Sequence, residues 1–246
     1  MDFGTIAGLV AFGAFIVYGS VSGQFSASLV DAHAVFVVLG GTLVSMLINT
    51  PFRYLVKAVT ELRFLMLNDE NADMHRAVPL ITSLAEDCRG RGLAALKDAD
   101  PLFARGFLAR VSAAALEYND YNFVKHVIEQ EINQAADETN EVANVYRTLG
   151  VLSPMFGLLG TLIGIIGVLK QLSDPESVGS AMAVAISSAF FGIFLANMIC
   201  VPIAGKIRAR IWLQVRMKSM ILDGILEIMK GSLPMVVERR LQSYVE

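Results

Sequence analysis

Residues 148–169 read TLGVLSPMFGLLGTLIGIIGVL, twenty-two positions without one Asp, Glu, Lys or Arg. A helix needs about 20 mostly apolar residues to cross ~30 Å of hydrocarbon, so this stretch alone is long enough to span a bilayer. Three more charge-free runs flank it: residues 3–30, 32–52 and 177–205. A buried core helix is the plain alternative for any one run, but four of this length exceed what a soluble core needs. Composition agrees, with 54% hydrophobic and 17% charged residues among 246, where a soluble domain carries about a quarter charged residues. The reading is an all-α integral membrane protein with four transmembrane helices.

The first run is read as a helix and not as a secretory leader, because Asp2 stands where a basic n-region belongs and no small-residue cleavage site leads into a soluble sequence. Orientation follows from the cations. Arg53, Lys57, Arg63 and Arg147 bracket the long middle segment, and Lys206, Arg208, Arg210, Arg216 and Lys218 follow the fourth run, whereas the two short connections are poor in Lys and Arg. The positive-inside rule places the middle segment, the tail and both termini in the cytoplasm. Cys88 and Cys200 fall in unlike segments, which suggests neither a disulfide nor a metal site. A formal charge of −3 and the lack of a basic stripe give no sign of nucleic-acid binding.

The expected organisation is residues 1–50 as transmembrane helices one and two, 51–147 as a cytoplasmic helical domain, 148–205 as helices three and four, and 206–246 as a cytoplasmic helical tail. In the middle segment Tyr54, Leu55, Ala58, Leu62 and Leu65, and then Val78, Leu80, Ile81 and Leu84, recur at helical spacing. No alternation long enough for a strand occurs, and residues 68–71 and 98–101 read as loops. Helix three holds Gly157, Gly160, Gly164 and Gly167, and helix four Ala181, Ala185, Ser188, Ala189 and Gly192. Small residues four apart let helices approach closely in lipid. Because they cover more than one face, they also predict neighbours on both sides, as in an oligomeric ring.

No enzymatic constellation appears: no P-loop, no HExxH, no GxSxG, and three scattered histidines, His33, His75 and His126. An ion carrier usually places an ionisable residue within the bilayer, yet these runs offer only hydroxyls and an amide, among them Ser153, Thr161, Ser187, Ser188 and Asn197. If ions pass, a partner must supply the carboxylate. Pro154 and Pro202 sit at the edges of the small-residue helices, either as simple kinks or ends, or as hinges, since proline removes a backbone donor and disturbs the preceding turn.

Taken in order, residues 152–164 (LSPMFGLLGTLIG), 174–179 (DPESVG), 182–185 (MAVA), 196–204 (ANMICVPIA) and 222–228 (LDGILEI) with Gly231 and Pro234 resemble the flagellar stator A-subunit family, the MotA and PomA proteins, within the wider MotA/TolQ/ExbB group. The resemblance implies an inner-membrane complex of five A subunits around two single-pass B subunits, whose helix carries the ion-binding aspartate. It implies a transported cation and no bound cofactor, with the ring's rotation pushing on the rotor switch protein. Pro154 and Pro202 match the family's functional prolines, and Arg89 its rotor-facing arginine. Lys97, followed by Asp98, stands where the family usually has glutamate. Thr161 and Asp31 resemble sodium-type members, Ser188 keeps a hydroxyl on the expected ion path, and Ala189 replaces a usual threonine. Sodium is favoured, with protons the alternative. The rival reading is an ExbB/TolQ-like energiser of an outer-membrane process, which usually lacks the first hairpin. A transporter would show inverted repeats, and a membrane scaffold would need no partner carboxylate.

Overall fold

The computed structural model describes residues 3–22, 31–67, 71–170, 173 and 175–245, and among them every regular element is helical. The elements are α1 (Phe3–Val21), α2 (Ala32–Asn49), α3 (Phe52–Leu67), α4 (Asn71–Arg91), α5 (Phe107–Tyr118), α6 (Tyr121–Lys170), α7 (Pro175–Phe194), α8 (Val201–Met229) and α9 (Pro234–Gln242). The expected loop at residues 68–71 lies outside the described residues except for Asn71, which opens α4, and so does Asp174 of the second quoted motif.

Local chemistry accounts for the breaks. Asp31 caps α2, its Oδ1 accepting from the His33 and Ala34 amides at 2.8 and 3.1 Å, which satisfies donors the first turn leaves unpaired. Thr50 is extended and Pro51 follows, so α2 stops there. Asn119 ends α5 in the left-handed conformation and Asp120 starts α6 by accepting from the Phe123 amide at 3.0 Å. Between α4 and α5 a 3₁₀ turn covers Leu93–Asp98, and Ala104, Arg105 and Gly106 then have φ of +50°, +58° and +80°. Two consecutive non-glycine residues there are uncommon.

Two helices run further than the sequence pattern predicts. The apolar run from Thr148 begins inside α6, which starts at Tyr121 and passes through Pro154 without ending. The fourth run continues through a π-helical turn, Leu195–Cys200, into α8 and so past Pro202. Neither proline ends a helix. An extra residue in the turn before Pro202 relieves the clash a proline ring makes with the carbonyl four residues back.

The chain forms two compact units. The first comprises Met1–Asn68 and Glu141–Arg208, the second Asp69–Asn140 and Ala209–Glu246. Three helices in the described residues are long and apolar enough to cross a membrane, Ala32–Asn49, Tyr121–Lys170 and Ser177–Met229, and Val10–Gly19 is a shorter apolar stretch. In the first unit large apolar side chains such as Leu43, Ile48, Leu158, Leu162 and Ile166 are exposed, which suits hydrocarbon and not water. The second unit is organised around an apolar core that includes Ile81, Leu96, Phe107, Leu108, Met220, Ile221, Ile225 and Leu241. Its last helix, α9, sets Val237 and Leu241 into that core, both fully buried.

Candidate functional site

The small residues of α6 and α7 meet in one seam. A methyl group added at Gly160 would come within 2.5 Å of Ser188 Cβ and Oγ. One at Gly164 would lie 2.7 Å from Ala185 Cβ, and one at Gly157 2.8 Å from the Ser188 carbonyl oxygen. From α7, a methyl at Gly192 would reach the Ser153 carbonyl at 2.6 Å and Pro154 Cα at 3.2 Å. The helices are therefore in backbone contact, the arrangement that small residues permit where lipid gives no hydrophobic drive to associate. These contacts are made within the chain. Gly41 of α2 receives the ring of Phe156 of α6, which leaves no room for a side chain at that position.

Hydroxyls lie along and beside the seam. Ser153, Ser187 and Ser188 are buried. Ser153 Oγ donates to the Leu149 carbonyl at 2.5 Å and Ser188 Oγ to the Val184 carbonyl at 2.8 Å. Thr161 is half-buried and donates to the Leu158 carbonyl at 2.6 Å, while Ala189 is half-buried on α7. The hydroxyl protons of Ser153, Thr161 and Ser188 are committed to their own helices, so these three oxygens retain acceptor capacity. Such oxygens can replace part of a cation's hydration, but none can neutralise its charge. Ser188 is enclosed against Gly160, next in sequence to Thr161. Asp31 is placed as the cap of α2, away from Thr161 and Ser188 in sequence and serving the first turn of that helix.

Both prolines adjoin this seam. Pro154 faces Gly192, and the π-helical turn before Pro202 packs on Gly150, where an added methyl would lie 3.4 Å from Val201 Cγ2 and 3.5 Å from Cys200 Cβ. Tyr146, one turn earlier on α6, donates its hydroxyl to the Ala58 carbonyl at 2.6 Å and so joins α3 to α6 across 88 residues of sequence. Neither the π-helical turn nor the tyrosine tether has a signature in residue spacing.

In the second unit Arg89 is exposed in the last turn of α4, and Lys97 and Asp98 are exposed on the following 3₁₀ turn. Asp98 pairs with Arg91, Nη1 to Oδ2 at 2.8 Å, and Arg91 also reaches Asp87 at 3.4 Å. The hydrogen bond to Asp98, with the charges of both carboxylates, holds the Arg91 guanidinium above its ordinary pKa. Arg91 and Asp87 belong to this cluster without having been singled out by the sequence. Arg89 also borders a recess lined by Cys88, Leu93, Ile228 and Met229. Burial pushes the pKa of the Cys88 thiol upward, which disfavours the thiolate. Among the described residues no His, Cys, Asp and Glu side chains gather to hold a metal ion.

Long apolar helices in back-to-back contact, joined covalently to a charged helical unit, define an all-helical multi-pass membrane protein. Residues 97–220 match the MotA/TolQ/ExbB proton channel family, and the chain belongs to that family. It is 30% identical over 247 residues to motility protein A of Treponema pallidum (strain Nichols), covering 100% of this chain and 94% of that protein. It is 27% identical to the chemotaxis protein PomA of Vibrio alginolyticus, covering 100% and 96%. Two solved structures share the fold. C. jejuni MotAB superposes with a TM-score of 0.86 at 21% identity over 99% of this chain and 96% of that one. The flagellar MotAB stator complex from Bacillus subtilis gives 0.85 at 24% over 99% and 94%.

Proposed function

We propose that this chain is the A subunit of an ion-driven flagellar stator, which turns cation flow into torque on the flagellar rotor. The observation that carries the proposal is a close-packed, hydroxyl-bearing helix seam with no ionisable residue in any of the four apolar runs. A cation crossing hydrocarbon needs a counter-charge, so the work is divided between chains. A single-pass B subunit supplies the ion-binding aspartate. The relatives are named for motility and for chemotaxis, and the fold is shared with MotAB structures, which supports a B-type partner.

In this reading five A subunits surround two B subunits in the inner membrane, with both termini cytoplasmic. Thr161, Ser188 and Ala189 lie along the ion path. Pro154 and Pro202 couple it to the cytoplasmic portions, residues 51–147 and 206–246, and Arg89, Lys97 and Asp98 meet the rotor switch protein. Asp31 and Thr161 favour sodium over protons. One charge falling through 100 mV releases about 2.3 kcal/mol, enough for stepwise work. The chain acts as a conductor and motor part, not as an enzyme.

The deciding experiment is swimming speed of cells powered only by this subunit and its B partner, with and without sodium. Speed that depends on sodium supports the stator and the sodium assignment. Sodium-independent swimming abolished by a protonophore keeps the stator and reassigns the ion. No swimming, given expression and a compatible rotor, favours an ExbB/TolQ-like energiser.

A further inference from the structure

Trp212 is the one tryptophan of the chain, and it stands 59% exposed on α8. Other positions of the same helix, Met217, Met220 and Ile221, are buried in the core of the second unit. The Arg216 guanidinium stacks on the indole, 5.1 Å from the ring centroid. At about 100° per residue, Arg208, Trp212 and Arg216 fall on one side of α8, with Arg208 exposed and Arg216 half-buried. No Asp or Glu occurs between Lys206 and Asp223. A side of opposite character runs along α6. Gln130, Gln134, Asp137 and Glu141 fall within about 60° of arc on that helix, and all four are exposed. Between Lys125 and Arg147 there is no Lys or Arg. Lys125 engages Glu129 at 3.9 Å and Arg110 engages Glu131 at 3.0 Å. Asp137 and Glu141 give the open face its charge, with Glu138 at its border.

The two faces also match in level. Asp137 precedes the apolar run that begins at Thr148 by eleven residues, and Arg216 follows the run that ends at Gly205 by eleven. For Glu141 and Trp212 the separation is seven residues in each case. Both runs continue into these segments as helix, so at 1.5 Å per residue the pairs lie about 16 and 10 Å from the runs. Trp and Arg are the residues enriched in the anchors of protein interfaces. A layer of anionic headgroups would match the basic face and leave the acidic one unmatched, whereas a second copy of this chain matches both. Two unlike faces, each docking on the next copy, make a heterologous contact of the kind that closes into a ring. We propose that the Arg208, Trp212 and Arg216 face of α8 docks on the Gln134, Asp137 and Glu141 face of α6 in a second copy, with Arg216 on Asp137 and Trp212 beside Glu141. The proposal rests on the reading of the chain as a ring-forming A subunit, and the test separates the two.

Two differently tagged full-length chains, one with Trp212→Cys and the other with Glu141→Cys, are expressed together with the B partner, and the membranes are oxidised. The native Cys88 and Cys200 are buried, and each chain expressed alone is the control. The expected result is a disulfide-linked dimer that carries both tags, above the level of either control. Adding Arg216→Glu to the first chain should lower its yield about threefold, in the range of an exposed ion pair. Adding Asp137→Arg to the second chain should then restore it, a rescue that a merely structural loss would not show. An amine-reactive cross-linker applied to the unmodified chain reports assembly independently. Oligomers of the unmodified chain without the mixed disulfide would overturn the proposal and leave the ring reading standing. A disulfide that forms only within a single chain carrying both cysteines would overturn it as well. Undiminished yield with Arg216→Glu, or no rescue by Asp137→Arg, would overturn the pairing of Arg216 with Asp137. An unmodified chain that stays monomeric would overturn the ring reading and this proposal together.

Discussion

Gly192 of α7 rests on Pro154 of α6: a methyl group at Gly192 would stand 3.2 Å from Pro154 Cα and 2.6 Å from the carbonyl of Ser153. Proline deprives α6 of a hydrogen bond at this turn, and the closest backbone approach in the seam occurs beside it. No side chain intervenes between the two helices at this turn.

Gly192→Ala should therefore cost about 1–3 kcal/mol, the usual penalty for overpacking, and reduce motility. Gly205→Ala, where an added methyl meets nothing within 4 Å, should leave both unchanged. Thermal unfolding of the detergent-solubilised complex, paired with swimming speed, makes the comparison. Equal midpoints for the two variants would mean that the seam is looser than its geometry.

Tyr146→Phe keeps the ring but removes the bond to Ala58. A loss of about 1 kcal/mol is expected for one buried hydrogen bond. Faster amide hydrogen exchange in α3 should accompany it, because this bond holds the helix against α6. Unchanged exchange in α3 would show that apolar packing alone holds it.

The end of the chain should give stability a pH dependence with two limbs. Burial opposes ionisation of Glu227, but hydrogen bonds from Ser232 and Lys230 and the charges of Lys230 and Arg240 outweigh it, so its pKa falls below the ordinary 4.5. The stabilisation is complete above the ordinary value and is lost as pH falls through the lowered one. Tyr244 behaves oppositely. Burial and its hydrogen bond to Asp223 push its pKa up from 10.0 to about 12, so its contribution is present below the ordinary value and lost as pH rises through about 12. Ser232→Ala should cost about 1–2 kcal/mol near neutrality and shrink the acid limb, and Tyr244→Phe should remove the alkaline one. Unfolding midpoints across pH provide the readout, and identical profiles for all three chains would refute the assignment.

Leu241→Ala tests whether α9 belongs to the core. Leu241 is fully buried, and its side chain lies where a methyl at Gly224 would meet it at 3.2 Å. A cost of about 2–4 kcal/mol is expected for a cavity of this kind, against a negligible change for Met235→Ala at an exposed position. Denaturant unfolding of both variants decides it.

Much of the architecture was readable because lipid imposes a simple rule. Charge-free runs long enough to cross a bilayer favour helices, which satisfy their own backbone, and the structure puts helices through what it describes of them except Ser22, Thr50 and Pro51. Helical spacing likewise located α3 and α4. Lengths were less readable: the membrane-compatible part of α6 has clear composition, but nothing in residues 121–147 marks a break, so the helix extends back through the charged segment. At the site, Gly157, Gly160 and Gly164 announced close packing but not the partner. The structure assigns them to α7 of the same chain.

By itself, the sequence determined the solvent, the helical class and the absence of a carboxylate from the apolar runs, since each depends only on which residue types follow one another. Its resemblance to the stator family, carried by the order of several short motifs, likewise needed no coordinates. Tertiary structure alone decided that Pro154 meets Gly192, that Asp98 is held by Arg91, that Tyr146 tethers Ala58, and that α9 completes a core. Those relationships join residues up to 88 positions apart, and such contacts depend on how helix faces turn toward one another in space, which local spacing does not encode.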